Sequence, residues 1–165
     1  MYTISYNEIT NRNYVAKWDG SNWLELKDEN NIIPYPSQFL NLCSDASGNI
    51  YLVGNFLFIV KWDGTSWSKV GADFTPNVLL SVISADDLGN VYAAGAIYDG
   101  QSRGYVVKWD GTSWSEVGTG IHGLSANDEI LTMCTDPSHN LYVAGNFTNE
   151  NGEVCVAKWD GTTTE

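Results

Sequence analysis

Four times along the chain an unbroken apolar triplet precedes a lysine: Tyr14-Val15-Ala16, Phe58-Ile59-Val60, Tyr105-Val106-Val107 and Cys155-Val156-Ala157. A strand with one wet face alternates apolar and polar residues, whereas a continuous apolar run needs cover on both faces. Each triplet leads into Lys-Trp-Asp-Gly, and Asp-Gly between apolar runs is a strong hairpin signal. The residues after it, "SWSKVG" and "SWSEVG", alternate again. Upstream lie two more short apolar segments per unit: "FLNLCSD", "LLSVISAD" and "ILTMCTD", then "NIYLVG" and its counterparts. Each unit therefore predicts four strands, A to D, joined A–B by a turn rich in Ser, Gly and Asn and C–D by Asp-Gly. Strands this short and evenly spaced predict an all-β fold.

The units repeat. The KWDG tryptophans are Trp18, Trp62, Trp109 and Trp159, spaced by 44, 47 and 50 residues. A second motif runs in phase: "DASGNIYLVGNF", "DDLGNVYAAGAI" and "DPSHNLYVAGNF" begin at Asp45, Asp86 and Asp136. In each, the Asp stands six residues before a Tyr and an Asn two before it, with a Gly three after. A repeat of this period marks solenoids and propellers. Small antiparallel sheets stacked against like sheets explain apolar runs covered on both sides, so the chain reads as a β-propeller or part of one. Residues 1–27 supply B, C and D only, 38–71 and 78–118 complete blades, and 129–165 only A, B and C. That is one repeat domain over 1–165 with fourteen strands, about three and a half blades. Unpaired blade edges invite pairing. The count predicts a homodimer completing a ring of six to eight blades, missing chain segments, or a small four-bladed ring with two defective blades.

The "D-x-S/L-G-N-x-Y-x-x-G" stretches resemble bacterial β-propeller repeats of large secreted proteins. The "K-W-D-G-T-S-W" stretches are similar to tandem repeats in bacterial and fungal surface propellers. The resemblance spans nearly the whole chain and implies a fold, but no shared catalytic site. Asp-Gly-x-x-Trp also resembles the Asp box of sialidase-type propellers, with one residue fewer between Asp and Gly. There the Asp box is structural and catalysis uses three arginines; this chain has Arg12 and Arg103 alone.

Composition narrows the function. The chain is 43% apolar and 13% aromatic, enough for a core, and its net charge of −12 with eight Lys and Arg repels nucleic acid and anionic lipid. No apolar run is long enough to span a membrane. The N-terminus shows no basic region followed by an apolar stretch, so the default expectation is a cytoplasmic protein. The three cysteines lack C-x-x-C spacing and read as buried free thiols. Neither a cofactor nor a metal is called for: "DASGN" lacks the alternating ligands of a calcium loop and reads as an Asx-type turn.

The heptapeptides read as hairpin clamps, one per blade: Trp18, Asp19, Gly20 and Trp23; Trp62, Asp63, Gly64 and Trp67; Trp109, Asp110, Gly111 and Trp114; and the truncated Trp159, Asp160 and Gly161. Each Trp pair is expected to pack across its hairpin and against the next blade. Lys17, Lys61, Lys108 and Lys158 read as solvated or ion-paired beside the acidic turn. His139 stands where Gly48 and Gly89 stand in other copies and reads as a turn residue. His122 lies in a loop without an assigned partner and is a weak base candidate.

Variable loops on a rigid frame are where binding lives. The A–B and C–D turns barely vary between copies, while the B–C and D–A connections do. The candidate ligand contacts are Tyr35 in "KDENNIIPYPSQ", Tyr98, Asp99 and Arg103 in "IYDGQSRG", and Asn149 and Glu150 in "FTNENGE". The sequence points first to a non-catalytic scaffold presenting these loops to a protein or glycan partner. The alternatives are a carbohydrate-binding propeller lectin, disfavoured in multivalent form because the loops do not repeat, and a fragment of a larger repeat protein with a structural role. No constellation of an enzyme is visible.

Overall fold

The computed structural model describes residues 1–75, 77–98, 102–117, 130–148 and 154–161. Its described secondary structure consists of strands: β1 (Tyr2–Asn7), β2 (Arg12–Trp18), β3 (Trp23–Glu25), β4 (Phe39–Ser44), β5 (Ile50–Gly54), β6 (Ile59–Trp62), β7 (Trp67–Val70), β8 (Val78–Ala85), β9 (Val91–Tyr98), β10 (Ser102–Trp109), β11 (Trp114–Glu116), β12 (Ile130–Thr135), β13 (Leu141–Thr148) and β14 (Val154–Trp159). They form four antiparallel meanders, β1-β2-β3, β4-β5-β6-β7, β8-β9-β10-β11 and β12-β13-β14. The first sheet has no A strand and the last, among the described residues, no D strand. The inner strands adjoin in chain order, β1 beside β4, β4 beside β8 and β8 beside β12. The sheets are propeller blades.

Register explains why the two motifs travel together. The Lys of KWDG pairs directly with the Tyr of the second motif: Tyr51↔Lys61, Tyr92↔Lys108 and Tyr142↔Lys158, with Tyr2↔Lys17 in the first blade. The ammonium groups of Lys17, Lys61 and Lys108 lie 5.9, 5.8 and 5.6 Å from those ring centroids. These lysines are cross-strand partners of tyrosines, and Lys17 is exposed as well. The two Trp of each heptapeptide also pair directly, with ring centroids 5.3 to 5.5 Å apart.

The C–D turns are built on their glycines. Gly20, Gly64, Gly111 and Gly161 have φ of 109°, 105°, 101° and 100°, while Ser21, Thr65 and Thr112, which follow the first three, have no positive φ. A positive φ at this position is one that glycine adopts without steric cost, which is why the hairpin carries it there. The Gly of Y-x-x-G serves a different purpose. A Cβ on Gly95 would lie 1.9 Å from the Leu79 carbonyl oxygen, where β8 shifts register between Leu80 and Val82. Only glycine lets the bulged inner strand approach this closely.

Each sheet has one face carrying a Tyr (Tyr2, Tyr51, Tyr92 or Tyr142) and one carrying the KWDG Trp, paired with a second Trp in the first three, and the Tyr face of one blade packs on the Trp face of the next. Val15, with Tyr2 and Ile4, meets Ile50, Leu52, Val60 and Trp67. Tyr51, Val53, Ile59 and Val70 meet Val91, Ala93, Val107, Trp109 and Trp114. Tyr92, Ala94, Val106 and Val117 meet Leu141, Val143, Ala157 and Trp159. The indole N–H groups act across the same seams: Trp67 donates to the Leu26 carbonyl at 3.1 Å and Trp114 to the Val70 carbonyl at 2.9 Å. The clamp therefore grips the preceding blade, not the following one.

Candidate functional site

The most regular polar groups in the chain are fully engaged with their own turns. The Asp45 carboxylate accepts from the Asn49 backbone (2.9 Å), the Asn49 amide (2.6 Å) and the Tyr51 hydroxyl (3.1 Å). Asp136 repeats the pattern with Asn140 and Tyr142, and Asp86 with Asn90, while Tyr92 stands at 3.5 Å. This single hub explains the fixed spacing of Asp, Asn and Tyr. Burial and the adjacent carboxylate push the Tyr92 phenol up to about 12 and the Tyr51 phenol upward too. In the C–D turns, Asp63 accepts from the backbone of Thr65 and Ser66 and from the Thr65 hydroxyl, and Asp110 likewise from Thr112 and Ser113. Donors aimed at the ionised form, that of Ser66 or Ser113 foremost, hold both carboxyls at about 2. These carboxylates are turn-makers. His139 takes the Gly position with φ 64°, and its Nδ1 lies 2.9 Å from the Asp87 carboxylate of the neighbouring blade.

The open chemistry is at the other rim, between the first two blades. A cleft of about 560 Å³ is lined by the B–C turn of the first blade, the D–A connection over 27–38, and the seam between them. Its apolar lining includes Val15, Phe39 and Trp67, and its polar walls include Arg12, Asn13, Glu25, Lys27 and Asn31. The Arg12 guanidinium sits over the Tyr35 ring at 4.5 Å from its centroid. Such stacking fixes both a donor fork and an aromatic plate. Tyr35 is 54% exposed, so much of its ring stays open.

The loops around this cleft are tied down by their own residues. Asn7 Oδ1 accepts from the backbone of Ile9 and Thr10, each at 3.0 Å, closing the B–C turn. Asp28 accepts from the backbone of Ile32 and Ile33 at 3.0 and 2.8 Å, folding the D–A connection over itself. The Asn13 amide donates to the Ser37 carbonyl at 2.8 Å and joins the two walls. Two cations, Arg12 and Lys27, and three carboxylates, Glu25, Asp28 and Glu29, are among the lining residues, a near balance of charge.

Of the residues singled out from sequence, Tyr35 lies in this cleft. Tyr98 ends β9 and Arg103 is second in β10, at the loop end of the third blade, with Ser102↔Tyr98 and Arg103↔Ile97 in register; their side chains lie outside the described structure. Asp99, Asn149, Glu150 and His122 also lie outside the described residues. Sequence reasoning passed over Arg12, Asn13, Glu25 and Lys27. The available signal was that Arg12, one of two arginines, opens a strand directly after a B–C turn. The cysteines are not uniformly buried: Cys134 is exposed, whereas burial and Asp45 push the half-buried Cys43 thiol up to about 12.

No family model matches the chain, and no curated protein matches it in sequence. Among solved structures it is similar to the lectin of the fungus Aleuria aurantia, described as a six-bladed β-propeller with a novel mode of fucose recognition. The TM-score is 0.52 at 14% identity, over 98% of this chain and 56% of that one. A mutant of the same lectin in complex with alpha-methyl-L-fucoside gives a TM-score of 0.53 at 16% identity, over 98% and 56%. The chain thus spans little more than half the length of these lectins. The likeness shows the fold: an all-β propeller, of which this chain carries part.

Proposed function

We propose that this chain is a non-catalytic, carbohydrate-binding propeller segment whose sugar ligand sits in the cleft between the first and second blades. The observation that carries this reading is the Arg12–Tyr35 stack at the cleft wall. A pyranose offers one apolar face and a ring of hydroxyls. An open tyrosine ring takes the first, and a guanidinium with neighbouring amide and carboxylate groups takes the second. The near balance of two cations and three carboxylates around the cleft suits an uncharged, hydroxyl-rich ligand. Tied-down walls reduce the ordering that binding would otherwise cost. The propellers it resembles are described as fucose-binding, which makes fucosides the first probes. The protein-scaffold reading rests on loop variability alone and is the weaker of the two.

Titration calorimetry with a panel of methyl glycosides, fucoside included, tests the proposal. Saturable binding to the chain that weakens at least about tenfold in Arg12→Ala and in Tyr35→Ala is expected, the equivalent of one or two lost polar or stacking contacts. Absence of binding across the panel and a glycan array, with the fold intact, overturns it.

A further inference from the structure

The repeated seam between blades is present in halves at the two ends of the arc. In the three interior seams the second apolar residue of strand C, on the Tyr face, is covered by the next blade: Val15, Ile59 and Val106 are 1%, 0% and 2% exposed. The equivalent Val156 on the last blade is 62% exposed. Cys134, paired with Tyr142 on the same face, is exposed, while its counterpart Cys43 packs into the second seam. At the opposite end, Trp67 is 3% exposed in its seam whereas Trp23 is 45% exposed. The first blade keeps the Trp18–Trp23 pair in the same geometry as Trp62–Trp67, with centroids 5.5 Å apart in both. One end therefore offers an uncovered Tyr face and the other an uncovered Trp pair, the two components that meet in the first two interior seams, the third having Trp159 in place of the pair.

We infer that a second copy of this chain covers the β12–β14 sheet, its β1–β3 sheet taking the place of a next blade and laying Trp18 and Trp23 against Val156 and Cys134. The contact joins unlike faces, and two copies related by a two-fold axis make it twice and close. The first blade presents Thr3, Ser5 and Asn7 on its Trp face, where the second presents Ile50 and Leu52. The seam between copies is accordingly more polar than the first seam within a copy. This inference does not depend on what the cleft binds.

Molar mass by light scattering across a dilution series tests it. The expected result is a reversible rise to twice the 18.2 kDa of one chain. Val156→Asp and Trp23→Asp, both at exposed positions that leave the fold intact by circular dichroism, should each weaken association at least about tenfold, because each places a charge in an apolar contact. Mixing the two variants is the decisive arm: one chain retains a good Trp face and the other a good Tyr face, so the mixture regains association that neither variant shows alone. Cys134, identified by the loss of its signal in Cys134→Ser, should react with a thiol reagent about tenfold more slowly in the associated form. A mass of 18.2 kDa at every concentration, association indifferent to both substitutions, or a mixture that stays monomeric overturns the inference.

Discussion

On the turn rim of the arc, polar side chains bond to the chain that carries them. Asp45, Asp86 and Asp136 are surrounded by their own Asn and Tyr, and Asp63 and Asp110 by the N–H groups of their own turns. On the loop rim, Arg12 meets Tyr35 and Asn13 meets Ser37, more than twenty residues away, and the groups line open space. The turn rim repeats because each blade must solve the same local problem. The loop rim varies because its residues are free of that task. The conspicuous, repeated motif thus marks the frame, and the unrepeated arginine lies where the surface is open.

Substitutions can break that contrast. The largest effect is expected from Trp67→Ala, which empties a seam and removes the bond to Leu26. It should lower stability by about 4 kcal/mol in urea unfolding, whereas Trp23→Ala should cost less than about 1 kcal/mol. Equal losses would mean the two indoles are equally buried. Gly95→Ala drives a Cβ into the Leu79 carbonyl and should cost about 3 kcal/mol, read from the same curves. Asp86→Asn puts an amide donor against the donors of Asn90 and should cost about 2 kcal/mol. A smaller change should follow pH. Asp63 and Asp110 have native values of about 2 against 3.8 unfolded, so the unfolded chain takes up protons first. Their contribution is present above pH 3.8 and fades as pH falls towards 2, a slope that Asp63→Asn with Asp110→Asn should flatten in acid titrations followed by fluorescence. Smallest for stability is Tyr35→Ala, within about 0.5 kcal/mol; its effect should fall on glycoside affinity. A large stability loss there would erase the distinction between the rims.

Most of the frame was legible in the sequence because a propeller repeats its solution. The KWDG period, the Asp-Asn-Tyr spacing and the apolar C-strand triplets marked the blades. What escaped depends on contacts between units. Whether Trp67 grips the blade before or after it is decided by which carbonyl its N–H reaches, 41 residues back. Cys134 and Val156 share the local sequence pattern of counterparts that pack into seams, and their exposure follows from the face they lie on having no sheet against it among the described residues. The cleft joins a B–C turn to a D–A connection, and nothing in either segment names the other.

The paired indoles carry one more consequence. Three Trp pairs stand 5.3 to 5.5 Å apart with their planes inclined at 47° to 56°. Transitions of two identical chromophores held close and oblique mix into a split pair of opposite rotational strength. The chain therefore carries an optical signature of its hairpins, in which each intact blade contributes a circular dichroism couplet and Trp159, lacking a second indole, contributes none. Loss of one couplet at a time would reveal the order in which the blades come apart.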